Sequence, residues 1–182
     1  MHVLEPGFSP IHVPMSAYVV GAYGGLMTTT FFALATALIA TAFGICTTAR
    51  ANVVSWIGFL LFIVAAFGVV LAGIFPGIIS GVPSLYWHGV GSRFAFPGMA
   101  LGSLLFSLSF FSNPCRQRIA VPALTLSVGV VLAFLLWPSP ITAGVDGLVQ
   151  RIFFALMIPW FVLVGMHLMR TDRSDRPSAE SR

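Results

Sequence analysis

Five long apolar stretches run through this chain with almost no charge inside them, and short polar or Pro/Gly-rich segments separate one from the next. The pattern predicts helices over 19–48, 53–75, 88–111, 119–137 and 146–169, with a leader over 1–18 and a tail over 170–182. Each stretch reaches or exceeds the roughly 20 apolar residues that span a bilayer as a helix. The expected fold is therefore all-α: a polytopic transmembrane bundle of five helices, with no room for a separate soluble domain.

Proline and glycine set the boundaries. Pro6, Pro10 and Pro14 keep the leader irregular, and Pro76 requires the second helix to end by Phe75. The stretch from there to Trp87 is apolar and Gly/Pro-rich, which suits a loop in the membrane interface or folded into the bundle. Pro97 predicts a kink in the third helix, because the carbonyl of Arg93 loses its usual donor. Asp146 is placed to cap the fifth helix and meet its positive end. Small residues recur four apart at Gly21/Gly25, Ala33/Ala37, Gly68/Ala72 and Gly98/Gly102, a spacing that lets helices approach closely. Thr28, Thr29, Thr30 and Thr36 are expected to return their hydroxyl bonds to the preceding turn. The tail alternates Arg with Asp and Glu and is expected to be disordered.

Composition agrees: 58% of residues are hydrophobic and 8% charged, with a mean hydropathy of +0.98, outside the range of soluble globular domains. The pI of 9.8 does not signal nucleic acid, because every basic residue is an Arg and most flank apolar runs. Seven of them (Arg50, Arg116, Arg118, Arg170, Arg173, Arg176, Arg182) fall on one side of the bundle and two (Arg93, Arg151) on the other. The positive-inside rule then puts the leader outside and the tail in the cytoplasm of a cell-membrane protein. Cys46 and Cys115 fall on the cytoplasmic side, where no disulfide is expected.

With that topology Tyr18, Tyr23, His88, Arg93, Asp146, Gln150 and Arg151 lie at the outer boundary, with His12 and Glu5 of the leader close by. Arg93 and Arg151 stand about five residues inside their predicted helix starts, within about 8 Å of the ends by helical rise. Two readings stay open for such arginines: snorkelling to the interface, or pairing inside the bundle with Glu5 or Asp146. Arg151 shares a helix face with Gly147 and Ala155, whereas Arg93 is followed by Phe94, Phe96 and Pro97. Arg151 is thus expected to face inward, with the leader folded over it and Glu5, Tyr18 or Tyr23 within hydrogen-bond reach.

No cofactor is expected. His88 and His167 fall near opposite faces, too far apart to share a haem iron. His2, Glu5 and His12 match no standard metal-ligand spacing. Hydrolase and metalloprotease signatures are missing, and Ser103, Ser107, Ser109 and Ser112 read as helix-packing hydroxyls.

The run Ser16-Ala-Tyr-Val-Val-Gly-Ala-Tyr-Gly-Gly-Leu-Met27, then Ala-Gly-Ile-Phe-Pro76, His88, and Gly147-Leu-Val-Gln-Arg151 resembles the bacterial and archaeal membrane family catalogued as domain of unknown function 998. The resemblance covers about residues 4–170 and implies six helices and no established activity. It also implies a helix ahead of the leader that this chain lacks, through a downstream start or a lost helix. Where members often carry an acid two positions after Phe-Pro, this chain has Ile78, which argues against proton or cation chemistry there.

Three functions are consistent with these features. The first is a carrier or accessory binding subunit, in a homo-oligomer or larger membrane complex, holding a lipid head group or small polar solute in an outward-facing pocket. Its candidate residues are His88, Arg151, Gln150, Arg93, Asp146, Tyr18, Tyr23 and Glu5. The second is an outer-leaflet lipid-modifying enzyme, with His88 as general base or acid beside Ser84, Ser92 or Tyr86 and Arg151 orienting a phosphate. The third is a structural subunit without its own ligand.

Overall fold

The computed structural model describes residues 6–47, 51–75, 82–137 and 140–174. Within them lie five helices long and apolar enough to cross a membrane: α1 (Gly24–Thr47), α2 (Val53–Ile74), α3 (Val82–Phe110), α4 (Gln117–Leu136) and α5 (Asp146–Ser174). No strand is present among the described residues. Glu5, Arg50 and Ile78 lie outside them.

Several boundaries differ from the sequence expectation. A 3-10 helix, Met15–Val20, occupies the end of the leader, so α1 begins at Gly24. Met15 to Val20 follow the cap residue Pro14, whose fixed φ presets a turn. The largest shift is in α3, which begins at Val82, ahead of the expected start at His88. Pro83 reads as a break in sequence, yet it falls in the first turn, where its missing N–H would have no intrahelical partner anyway. α5 continues to Ser174, beyond the expected end at 169.

Consecutive helices pack on one another, most extensively α2 on α3 and least α3 on α4, while α1 and α5 meet over only a short stretch. Between helices in lipid, close van der Waals contact replaces the hydrophobic drive. The α2–α3 seam achieves it with glycine. A Cβ at Gly68 would stand 2.5 Å from the Gly91 carbonyl oxygen, and one at Gly91 would stand 2.6 Å from that of Gly68. Gly98 lies against Ala65 and Leu61, and Gly102 against Phe62, so the Gly98/Gly102 pair is a true contact face. The Gly21/Gly25 and Ala33/Ala37 spacing is not one: Gly25 has open space above it and Ala33 is exposed. α1 turns Ala35, Leu38, Ala42 and Ile45 inward instead.

At the centre, Phe62 meets Phe106 edge to face at 5.1 Å and Trp160 at 5.6 Å. The buried indole of Trp160 donates to Ser107 Oγ at 2.9 Å, and Ser107 donates onward to the Ser103 carbonyl at 2.7 Å. Ser107 is therefore the hydroxyl that ties α3 to α5. Thr28, Thr29, Thr30 and Thr36 bond back to carbonyls three or four residues earlier, as their placement in an apolar helix requires.

Candidate functional site

The leader lies across the start of α5 and is bonded to it at five points. Gly144, with φ +85°, turns the chain into α5 and presents its carbonyl to His12 Nδ1 at 2.6 Å. Leu148 N–H donates to the Ile11 carbonyl at 3.0 Å. Gln150, nearly fully buried, accepts the Met15 N–H at 2.5 Å and so satisfies the first turn of the 3-10 helix. Arg151 donates from Nη1 to the carbonyls of Val13 (3.1 Å) and Gly147 (2.7 Å), and from Nη2 to the Tyr18 hydroxyl (3.2 Å). Its guanidinium also lies 5.8 Å from the centre of the Tyr18 ring, within cation–π range.

Arg151 thus faces inward with the leader over it, and Tyr18 is its neutral partner. The reason differs in one respect from the sequence argument. Gly147 admits the leader, not a helix: a Cβ there would press on the Val13 and Pro10 carbonyls. Ala155 is exposed and forms no part of the contact. Tyr18 is buried at 1% exposure, whereas Tyr23 is 46% exposed.

His88 serves α2. Its Nδ1 lies 3.1 Å from the Ala72 carbonyl and 3.0 Å from that of Phe75, at the C-terminal end of α2. Because both partners are acceptors, the neutral ring carries its proton on Nδ1 and keeps Nε2 as an acceptor.

Asp146 is the first residue of α5, not its cap: Val145 precedes it and accepts the Leu148 and Val149 N–H groups. The carboxylate still meets the positive end of the helix. Arg93 is exposed, as expected, but stands eleven residues beyond the start of α3 at Val82, not five. The 29 residues of α3 extend for about 43 Å, more than a hydrocarbon layer of about 30 Å. Its first turns, with exposed Tyr86 and Trp87, therefore reach the interface, and Arg93 remains near the boundary at the leader end.

Beneath the leader is a cavity of about 540 Å³. Met15 and Ser16 roof it; Phe31 and Leu34 of α1, Met99 of α3 and Ile158 of α5 form its depth. Polar side chains contribute sparingly: His88, Ser92 and Gln150 toward the leader end, and Thr30, whose hydroxyl is bonded to the Met27 carbonyl. Among the described residues no Asp, Glu or Arg side chain lines it. The Arg151 guanidinium, engaged with the leader, is not part of its wall. A shallower pocket of about 360 Å³ adjoins it, lined by Arg93, Asp146, Pro97 and Phe134 and sharing Ser92, Phe96 and Trp137 with the cavity. Phe96 and Trp137 meet edge to face at 4.2 Å on that shared wall.

The opposite end of the bundle holds an arginine the sequence reading treated only as an orientation signal. Arg116 is 3% exposed, donates from Nη2 to the Ile45 carbonyl at 2.6 Å, and lies 5.8 Å from the Phe110 ring centre. Burial pushes its pKa below the usual arginine value. Cys46 and Cys115 are both free thiols.

Five apolar helices around a leader-capped cavity define a polytopic integral membrane protein. Residues 1–167 match the family described as protein of unknown function (DUF998), and the chain belongs to that family. No curated protein and no solved structure matches it.

Proposed function

We propose that this protein is a lipid-binding subunit of the cell membrane that holds an apolar chain in the cavity beneath its leader. The cavity carries the proposal: its volume lies in the range of ligand pockets, its lining is mostly apolar, and its polar side chains other than Thr30, whose hydroxyl is bonded within α1, come from the leader and the leader-end turns of α3 and α5, the distribution that suits an amphiphile. A small polar solute would leave most of that wall unmatched. The limited contact between α1 and α5 supplies a lateral way in from the bilayer.

The arginine distribution orients the leader end outward, so the ligand comes from the outer leaflet. Transporter folds commonly pair internal repeats around a midplane site, and the five membrane-capable helices among the described residues are few for such a pairing. The chain therefore acts as a binding subunit in a homo-oligomer or a larger membrane complex.

Native mass spectrometry of the purified chain, delipidated and then supplied with dioleoyl lipids, tests this. One lipid is expected per chain, with several-fold lower occupancy in Thr30→Trp and Ile158→Trp, which enlarge lining side chains on α1 and α5. Failure of the wild type to take up any lipid, or equal occupancy in folded forms of both variants, overturns the reading.

A further inference from the structure

The shallow pocket beside the cavity joins two opposite charges that do not neutralise each other. Arg93 of α3 and Asp146 of α5 both line it, yet among the described residues they form no ion pair with each other. Arg93 is exposed and Asp146 half-buried, and both stand at the leader-end boundary of the bundle. An open cation and an open anion in one concavity, set apart from each other, leave a space for a ligand that carries both signs in the reverse order.

Two further features sharpen the chemistry. Phe96, Phe134 and Trp137 line the same pocket as the carboxylate, and a pocket that holds both aromatic rings and an anion suits an ammonium group. Arginine presents a planar fork of donors matched to phosphate oxygens. At the same level of α3, Pro97 has no N–H to give the Arg93 carbonyl, the bond an unbroken helix would make. The shared wall of Ser92, Phe96 and Trp137 makes the pocket and the apolar cavity neighbours, as a head group and its acyl chain must be.

We propose that this pocket holds the head group of a zwitterionic phospholipid, with the phosphate on Arg93, the ammonium on Asp146 and the surrounding aromatic faces, and one acyl chain in the adjoining cavity. This rests on the lipid-binding reading above and adds to it the class of head group. Arg151 is not the phosphate site, because its donors already hold the leader.

The test is competitive lipid retention by the full chain, read by native mass spectrometry with dioleoyl phosphatidylethanolamine, phosphatidylcholine, phosphatidylglycerol and diacylglycerol. The wild type is expected to prefer one of the two zwitterionic lipids over both phosphatidylglycerol and diacylglycerol by about tenfold, the scale of a charge-assisted contact. Arg93→Gln and Asp146→Asn should each erase that preference while leaving diacylglycerol retention unchanged, and Asp146→Glu should restore it. Preference for ethanolamine identifies an ammonium recognised through its N–H groups, and preference for choline one recognised through the aromatic faces; either supports the proposal. Equal retention of diacylglycerol and zwitterionic lipid overturns the head-group site and leaves the cavity reading standing. Preference for phosphatidylglycerol, or an unaltered zwitterionic preference in both neutral variants, also overturns it. No retention of any lipid overturns the cavity reading and this one together.

Discussion

Arg151 of α5 donates to the hydroxyl of Tyr18 in the leader at 3.2 Å, joining positions 133 residues apart. The same guanidinium holds the Val13 and Gly147 carbonyls. The leader is consequently bound to the bundle through a half-buried cation that shares its donors between the leader and the first turn of α5.

Replacing that cation should free the leader. Arg151→Met leaves three oxygens to find other donors, and hydrogen bonds to charged groups contribute about 1.5–3 kcal/mol each at most, less where water reaches. We expect a lowered thermal midpoint in detergent and faster proteolysis between Pro6 and Val13, with Tyr18→Phe giving a smaller effect in the same direction. Unchanged proteolysis in Arg151→Met would show that the other leader bonds suffice.

How far this arrangement could be read from sequence depends on the residue. The five helices were legible because each apolar run is long and its breaks are marked by proline or charge. The inward Arg151 was legible from Gly147 on its helix face, which leaves room for a neighbour, although Ala155 proved exposed and the neighbour is the leader. The role of Gln150 was not, since nothing in a glutamine's position says that it will accept a backbone N–H from Met15. The start of α3 was misplaced because Pro83 signals a stop and a first-turn residue equally well. Arg116 was hidden by its setting: in a basic turn it satisfies the orientation count, and its fold-back beneath α1 to Ile45 depends on tertiary packing. The cavity is likewise a property of which helices fail to touch.

Glycine substitutions should separate contact from open space. Gly68→Ala places a methyl 2.5 Å from the Gly91 carbonyl oxygen and 2.7 Å from the Ala95 nitrogen, both backbone, so α2 and α3 must part. Overpacking of this kind costs about 1–3 kcal/mol. Gly25→Ala meets nothing within 4 Å and should be neutral or stabilising by about 0.4–1 kcal/mol through the unfolded chain. Thermal unfolding of the two variants in one detergent checks the opposite signs.

Ser107 and Trp160 should show coupling in a double-mutant cycle. Ser107→Ala leaves the buried indole N–H without its acceptor, and Trp160→Phe removes the donor along with part of the packing against Phe62. Interhelical hydrogen bonds in membrane proteins average about 0.6 kcal/mol, so the double variant should be less unstable than the sum of the singles by about that amount. Strict additivity would mean that the bond contributes nothing.

Arg116 should resist exchange for lysine and add no pH dependence near neutrality. Burial lowers its pKa below the usual arginine value, so the folded chain releases this proton more readily than the unfolded one, and its contribution to stability rises with pH only in the strongly alkaline window between the folded and unfolded values. Between about pH 6 and 9 the group is protonated in both states, and its effect on stability is flat. Arg116→Lys keeps the charge but loses the planar fork that reaches the Ile45 carbonyl beside the Phe110 ring, and should lower stability by about 1–3 kcal/mol across that range. Chemical unfolding at several pH values reads both the drop and its constancy.

The orientation can be tested with the thiols. Cys115 is exposed in the turn before α4, at the end of the bundle opposite the leader, whereas Cys46 is half-buried and its Sγ lies 3.8 Å from the Ser55 carbonyl. In a Cys46→Ala background, Cys115 is the single thiol in the sequence and a marker for the tail-side face. With seven arginines on that face and two on the other, the positive-inside rule places it in the cytoplasm. A membrane-impermeant maleimide added to intact cells should then leave Cys115 unlabelled, and labelling should appear once the cells are opened. A cysteine introduced at the exposed Ile11 position of the leader should show the reverse, reacting in intact cells. Labelling of Cys115 from outside would invert the bundle and move the leader-capped cavity to the cytoplasmic leaflet.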